Sequence, residues 1–363
     1  MTHTHPSRRT LHPAWGIAVF LLIAVIGLFY VKWSPYYGRA FVAAETHSIG
    51  HSILAGSDGT IPAASWQAAI DYAITYGLAI WKALILGLLL GSALQALLPP
   101  QWIRRWLGGT GVGSVLTGSL LSVPSMMCTC CSAPVVKGLR DCRAAPGSTA
   151  AYWLGNTMLN PATLVFMGFV LGWHWVGLRL GLGFVMVVGL GWLLNRMNRQ
   201  PDGVPPAVPA TPAVGVLEAT ECTQSNDLIS ILRRWARSFV GMALRLLPEY
   251  LVLVLLLGAA RAWLFPAMDV STDNSALWIM GAAIAGMLFV IPTAGEVPIV
   301  QTLLAMGMAT GPAAALLLTL PPISLPSLAM VARSFRRTDL LVLMAGVVCI
   351  GVLGAGLAVA LGF

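Results

Sequence analysis

Apolar residues run along this chain in long blocks, separated by short polar stretches and by breaks rich in proline and glycine. The first block, Ala14 to Val31, is 18 residues long, just enough to cross a bilayer. It reads as a signal anchor with its N-terminus in the cytoplasm, because no convincing small-residue cleavage site follows. Residues 32–65 are then expected outside. Within them Ser34 to Leu54 has the pattern of an amphipathic helix carrying Glu45, His47 and His51.

From residue 66 the pattern repeats. LLLGSALQALLP, ending at Pro99, matches LLLGAARAWLFP, ending at Pro266, with Gly91 and Gly258 aligned at an offset of 167. Further on, SAPVV at 132–136 matches EVPIV at 296–300, and Gly147–Ala151 matches Gly311–Ala315, both at an offset of 164. Each half reads as one span (72–98 or 239–265), a Pro/Gly-broken apolar segment (108–145 or 278–309), and two more spans (148–171 and 176–194, or 312–332 and 340–362). If the broken segment dips in and returns, each half crosses three times, and the second half must be inverted. The expected fold is therefore an all-α integral membrane protein. It has about seven transmembrane helices and two re-entrant or broken helical hairpins, in two inverted repeats. The expected divisions are 1–65 (tail, first helix and external segment), 66–194 (first repeat), 195–234 (linker) and 235–363 (second repeat). The linker contains PDGVPPAVPATPAV and should be extended and cytoplasmic.

Composition agrees: 57% of residues are hydrophobic, 9% are charged and the mean hydropathy is +0.81, outside the range of soluble domains. The net charge of +8 does not point to nucleic acid. Arg104, Arg105, Arg140, Arg143, Arg196, Arg199, Arg233, Arg234, Arg237, Arg333, Arg336 and Arg337 all fall on the side that the repeat scheme makes cytoplasmic. The returning arm of the first broken segment carries Lys137, Arg140 and Arg143, whereas the arm from Val300 to Gly311 carries no charge. That asymmetry is expected of inverted hairpins. No nucleotide-binding motif is present, and no cofactor is implied.

Candidate chemistry gathers in PSMMCTCCSAPVVKGLRDCRAAPG, residues 124–147, which holds four of the six cysteines. Pro134 and Pro298 occupy equivalent places, so a half-helix N-terminus is expected at each. Cys128, Cys130, Cys131 and Ser132 would then be presented from one side, and Thr293, Gly295 and Glu296 from the other. A helix N-terminus favours a thiolate at Cys131 and an anionic or polarised ligand. Thiolates suit thiophilic metals and metalloids; packing of small residues in a tight hairpin is the alternative. Cysteines this close in sequence rarely pair with each other, so no disulfide is expected here. Glu296 has no basic residue near it in sequence, and burial would favour its neutral form, which suits proton coupling; a structural helix cap is the alternative. Asn156 and Asn160, with Ser324 as the counterpart of Asn160, are candidates to line the path or to bind helices together. Lys82 and Glu249 match at an offset of 167 and are expected to pair across the pseudo-twofold axis. His47 and His51, four residues apart, form a weak candidate metal pair, with a solvated interfacial helix as the alternative.

On CTCCSAPVVKGLR, on GEVPIVQ with its trailing GPAAA, and on HSIGHS at 47–52, the sequence resembles the predicted permease family that includes the organoarsenical efflux permeases. The resemblance covers most of the chain outside the tail and linker. It implies an inner-membrane efflux permease, with Cys128 and Cys130 as candidates for contact with a trivalent arsenical. The sequence departs from the usual pattern at Cys131-Ser132-Ala133, where many members have a glycine and apolar residues. The expected function is thus secondary, proton-coupled or uncoupled, efflux of a small thiophilic or anionic solute by a non-enzyme. Its expected surroundings are the lipid bilayer and a small-molecule or ion substrate, with homo-oligomerisation left open. The alternatives are a membrane thiol–disulfide oxidoreductase, against which the absence of a CxxC pair is taken to count, and a non-transporting membrane subunit.

Overall fold

The structure, a computed structural model, describes residues 13–50, 52–53, 65–199, 228–264 and 273–363. Most of the linker, with Cys222, lies outside the described residues, as does His51. The described residues form helices and connecting turns, without a strand.

The chain opens on α1 (Pro13–Leu28), which passes through a π-helical turn, Phe29–Trp33, directly into α2 (Ser34–Thr46). The expected break between a first span and an external helix is therefore absent: Trp15–Thr46 is one helical stretch of 32 residues. Ser34-Pro35 follows directly on this π-helical turn, whose last bond runs from the Ser34 N–H to the Phe29 carbonyl. The helix stops at His47, which takes a left-handed φ of 50°, and not at Leu54.

Four further helices are long and apolar enough to cross a membrane: α3 (Trp66–Leu97), α9 (Trp173–Met197), α10 (Leu228–Leu264) and α15 (Arg337–Leu361). With the α1–α2 stretch this makes five such helices among the described residues. Ser65 starts α3 by accepting a hydrogen bond from the Ala68 N–H at 3.1 Å, and Pro99-Pro100 ends it and begins the short α4 (Pro100–Leu107).

Between the long helices lie short ones, each cut by proline or by a left-handed residue. The first hairpin is α5 (Val112–Ser125) and α6 (Thr129–Asp141), turning at Met126 with φ 50°. The second is α11 (Ala276–Leu288) and α12 (Glu296–Ala305), turning at Ala294 with φ 67°. The regions expected as spans 148–171 and 312–332 are each divided, at the places marked by Asn160-Pro161 and by Ser324 with Pro326. Helix α7 (Pro146–Met158) gives way to α8 (Pro161–Val170) at Asn160, and α13 (Thr310–Thr319) gives way to α14 (Leu325–Val331) at Ser324. Asn160 caps α8 through its side chain, and Ser324 forms a capping box with Ser327.

Helix α5 packs on α7 and α9, and α7 on α9; likewise α11 packs on α13 and α15, and α13 on α15. Helix α6 reaches across to α14, and α12 to α8. The two halves differ where α3 packs tightly on α6 while α10 packs on α14. The α3–α6 crossing depends on glycine. A Cβ on Gly87 or Gly91 would collide with the backbone carbonyls of Cys131 and Pro134, and one on Gly138 with the carbonyl of Gly91.

Candidate functional site

Both hairpin turns, mostly buried, meet at one small cavity with room for little more than a water molecule. Cys128, Thr129, Thr157, Asn160, Thr163, Ile291, Pro292, Thr293, Ala294, Glu296 and Pro321 line it. Four sequence candidates, Cys128, Asn160, Thr293 and Glu296, thus meet there from three separate stretches of chain.

The helix starts are not at the prolines. Helix α6 begins at Thr129, with Cys128 as its N-cap, so Pro134 lies inside the helix; α12 begins at Glu296, with Pro298 as its third residue. The turns align at an offset of 168 (Met126 with Ala294, Pro124 with Pro292), whereas Pro134 and Pro298 align at 164. The first hairpin therefore holds four residues more, about one helical turn, and that turn carries the cysteines. It also moves Pro134 away from the helix start.

Cys128 and Cys131 form a disulfide, with their Cα atoms 5.3 Å apart. The expectation that these neighbours do not pair is overturned, and so is the expected absence of a CxxC: Cys128-Thr-Cys-Cys131 is one. An extended chain would keep such close residues apart. Here the N-cap and third helical positions bring the two sulfurs to the same side of the first turn. Cys130 is a free buried thiol, 3.7 Å from the Ser324 hydroxyl, and Thr129 Oγ1 lies 3.4 Å from the same oxygen. Ser132 donates to the carbonyls of Cys128 and Thr129, both at 3.1 Å, and so serves its own helix. Asn156 accepts from the Met127 N–H at 3.3 Å and donates to the Tyr152 carbonyl at 2.8 Å, which pins the turn and leaves it outside the cavity lining.

Glu296 has a partner. Its Oε1 is 2.6 Å from Arg179 Nη1, and both side chains are buried, at 2% and 0% exposure. Arg179 also donates through Nη2 to the Thr157 carbonyl at 2.7 Å. The expectation of an unpartnered acid fails because the cation comes from α9, more than a hundred residues away in sequence. Lys32, on the π-helical turn, is the other cation absent from the sequence candidates. It is buried, at 4% exposure, and donates to Thr293 Oγ1 at 3.0 Å. Its neighbour Trp33 donates to the Pro124 carbonyl at 2.8 Å, so consecutive residues touch the two hairpin turns. Both cations were open to detection as single charges within or ending an apolar run, the pattern that marks functional positions in membranes. Tyr72 and Tyr76 of α3 complete the frame by donating to the carbonyls of Val290 and Ile291.

Lys82 and Glu249 do not pair. Lys82 is exposed beside the Trp81 ring, 5.6 Å from its centre, and Glu249 binds Arg333 at 2.8 Å with neither side chain buried. Equal repeat positions put both residues on the packed helices α3 and α10, but on outward faces. His47 ends α2 in a left-handed turn, and the pairing with His51 lies outside the described residues. Its Nδ1 lies 2.7 Å from the Phe169 carbonyl. Among the described residues no cluster of three or more His, Cys, Asp or Glu side chains could hold a metal.

Long apolar helices around a buried core of broken helices and paired charges define a multi-pass helical membrane protein. The chain belongs to the family described as predicted permease (ArsP_1), matching it over residues 14–155 and 114–360. It is 48% identical over 344 residues to the UPF0718 protein YraQ of Escherichia coli (strain K12), covering 95% of each chain. Weaker similarity, 30% over 113 residues, links it to the UPF0718 protein MJ0584 of Methanocaldococcus jannaschii, covering 30% of this chain and 31% of that one. A putative two-component membrane permease complex subunit of Streptococcus mutans is 27% identical over 115 residues, 31% of this chain and 38% of its own. No solved structure matches. Membership suggests a transporter rather than an enzyme.

Proposed function

We propose that this chain is a secondary permease of the bacterial inner membrane, with its N-terminus in the cytoplasm. It exports a small thiophilic or anionic solute, for which a trivalent arsenical is the example given by the family resemblance. The observation that carries this reading is the meeting of two broken hairpins around one small cavity lined in part by polar groups. A broken backbone at membrane depth is tolerated where protein or a cavity surrounds it, and such half-helices are how secondary transporters present groups to a solute. In this reading, passage of a solute through the small cavity requires the hairpin turns to part.

Inverted repeats are the proposed frame, giving seven crossings when the divided pairs α7–α8 and α13–α14 are each counted as one. The end of α6 supports this: Arg140 donates to the Ser334 carbonyl at 3.0 Å, near where Asp339 accepts from Asn198 at the end of α9. The end of α12 lies at the opposite end of α9, where Gln301 donates to the His47 carbonyl at 3.1 Å and His47 contacts Phe169. The two returning arms therefore run in opposite senses.

In this reading Cys128, Cys130, Thr293, Asn160, Glu296 and Ser324 face the solute at some stage of the cycle, and Glu296 links its movement to a proton when the Arg179 pair separates. The test is uptake into inverted vesicles with a panel of arsenicals and oxyanions. Cys128→Ser and Cys130→Ser should abolish transport of a thiophilic solute while Cys349→Ser leaves it intact. Wild-type rates in the Cys128/Cys130 double variant would remove the cysteines from the mechanism.

A second reading, a membrane thiol–disulfide oxidoreductase, is favoured by the Cys128–Cys131 pair at a helix start. A trapped mixed disulfide to Cys128 or Cys131 would support it.

A further inference from the structure

We propose that the cavity between the hairpin turns is an oxyanion subsite, built from the free amide donor of Asn160 and the uncapped start of α6, with Lys32 supplying the charge. Its use in transport rests on the permease reading; its chemistry does not. Asn160 is 1% exposed and lines the cavity. Its Oδ1 accepts from the backbone N–H groups of Ala162 and Thr163, at 3.1 and 3.3 Å. Those two bonds fix which end of the amide is oxygen. Nδ2 is then the opposite atom, buried and without an acceptor among the described residues. A buried amide donor left unpaired is destabilising, and such groups in folded proteins call for a specific explanation, a bound ligand among them.

Facing the same space are Cys128 and Thr129 at the start of α6, a helix of 13 residues whose N-cap side chain makes no capping bond. Its first N–H groups have no acceptor within the helix and carry the positive end of its dipole. Lys32 holds Thr293 Oγ1 as an acceptor at 3.0 Å, which leaves the Thr293 hydroxyl proton for a ligand in the cavity that Thr293 lines. Glu296 lines the cavity too, but its charge is matched by Arg179 at 2.6 Å. Lys32 stands one side chain behind the lining, at Thr293, and forms no ion pair among the described residues, so it brings a positive charge close to this set of donors.

Soft chemistry is less well served in this state. Cys128 is bonded to Cys131, and the free thiol of Cys130 is turned to Ser324 rather than into the cavity lining. Donors with one net positive charge select a ligand that is negative and rich in acceptor oxygens, which is the description of a small tetrahedral oxyanion. The cavity takes one oxygen-sized body, so a whole oxyanion enters as the turns part.

The test uses the purified full-length chain in detergent, with sulfate, inorganic phosphate and arsenate compared against chloride at equal ionic strength. At least one of the three should raise the melting temperature and give a binding isotherm. Asn160→Ser keeps a capping oxygen for α8 but lacks the amide donor, so it should fold as the wild type does and bind at least about tenfold more weakly. Lys32→Met should weaken binding as well, and Lys32→Arg should restore it. If none of the three anions binds, or if Asn160→Ser binds as tightly as the wild type, the subsite is refuted. Export of a neutral arsenical without oxyanion binding would refute the subsite and leave the permease. Asn160-dependent binding of an oxyanion that proteoliposomes do not transport would uphold the subsite and refute the permease reading for it.

Discussion

Arg179 and Glu296 form an ion pair with essentially no solvent contact, and this decides what substitution at either position does. Removing one partner strands the other charge in the interior, a loss of roughly 3–5 kcal/mol, whereas replacing both with apolar residues of similar volume is often neutral. Arg179→Met and Glu296→Met should each lower the melting temperature sharply, and the double variant should recover much of the loss. Singles and double that add would show that the pair contributes nothing as a pair. The same pair changes what is expected of Glu296→Gln. It should lose transport driven by a pH gradient while keeping counterflow exchange, provided that measurements are made on the fraction that remains folded. Gradient-driven transport at the wild-type rate would leave Glu296 as a structural partner of Arg179. Sequence marked Glu296 as an intramembrane acid, but its partner was out of reach, because nothing local in a chain says which distant helix supplies the counter-charge. The Cys128–Cys131 pairing was missed for the opposite reason. It is local, but it depends on the helix starting at Thr129 and not at Pro134.

At the level of elements, the breaks were legible and the exact helix starts were not. Asn160-Pro161 and Ser324 with Pro326 mark the divisions of α7–α8 and α13–α14 because a residue before proline is pushed out of helical geometry, or because its side chain caps the next helix. The four extra residues in the first hairpin showed in the sequence only as a drift in repeat offset from 167 to 164, and their number and placement required the left-handed Met126 and Ala294. The α3–α6 crossing yields a paired prediction. Gly87→Ala puts a methyl group into the Cys131 carbonyl, with no side chain able to move aside, and overpacking of this kind typically costs about 1–3 kcal/mol. Gly77, on the same helix, has open space where a methyl group would go, with no neighbouring atom within 4 Å of that point. Gly77→Ala should therefore be neutral or stabilising by up to about 1 kcal/mol through helix propensity. Equal melting temperatures for the two variants would mean that α6 is not held against α3 as closely as described.

For the whole molecule, orientation follows from charge and from the direction of the returning arms taken together. Helix α6 ends among Lys137, Arg140 and Asp141, with Gln95 and Lys137 both donating to Asp141, and Arg140 reaching the backbone beyond α14. Helix α12 ends at Ala305 without a basic residue in its last turn, near His47 and the C-terminal residue Phe363, whose carbonyl accepts from Thr310 at 3.0 Å. Basic residues are retained on the cytoplasmic side of a membrane protein. The end bearing Arg140 and Asn198 should therefore be cytoplasmic, and the end bearing His47 and Phe363 external. Both assignments depend on one inversion, so they stand or fall together. Reporter fusions after Arg199 and after Phe363 should report opposite sides of the membrane, cytoplasmic for the first and external for the second. Two fusions on the same side would eliminate an odd number of crossings in the second half, and with it the inverted frame that lets two hairpins face each other across a single cavity.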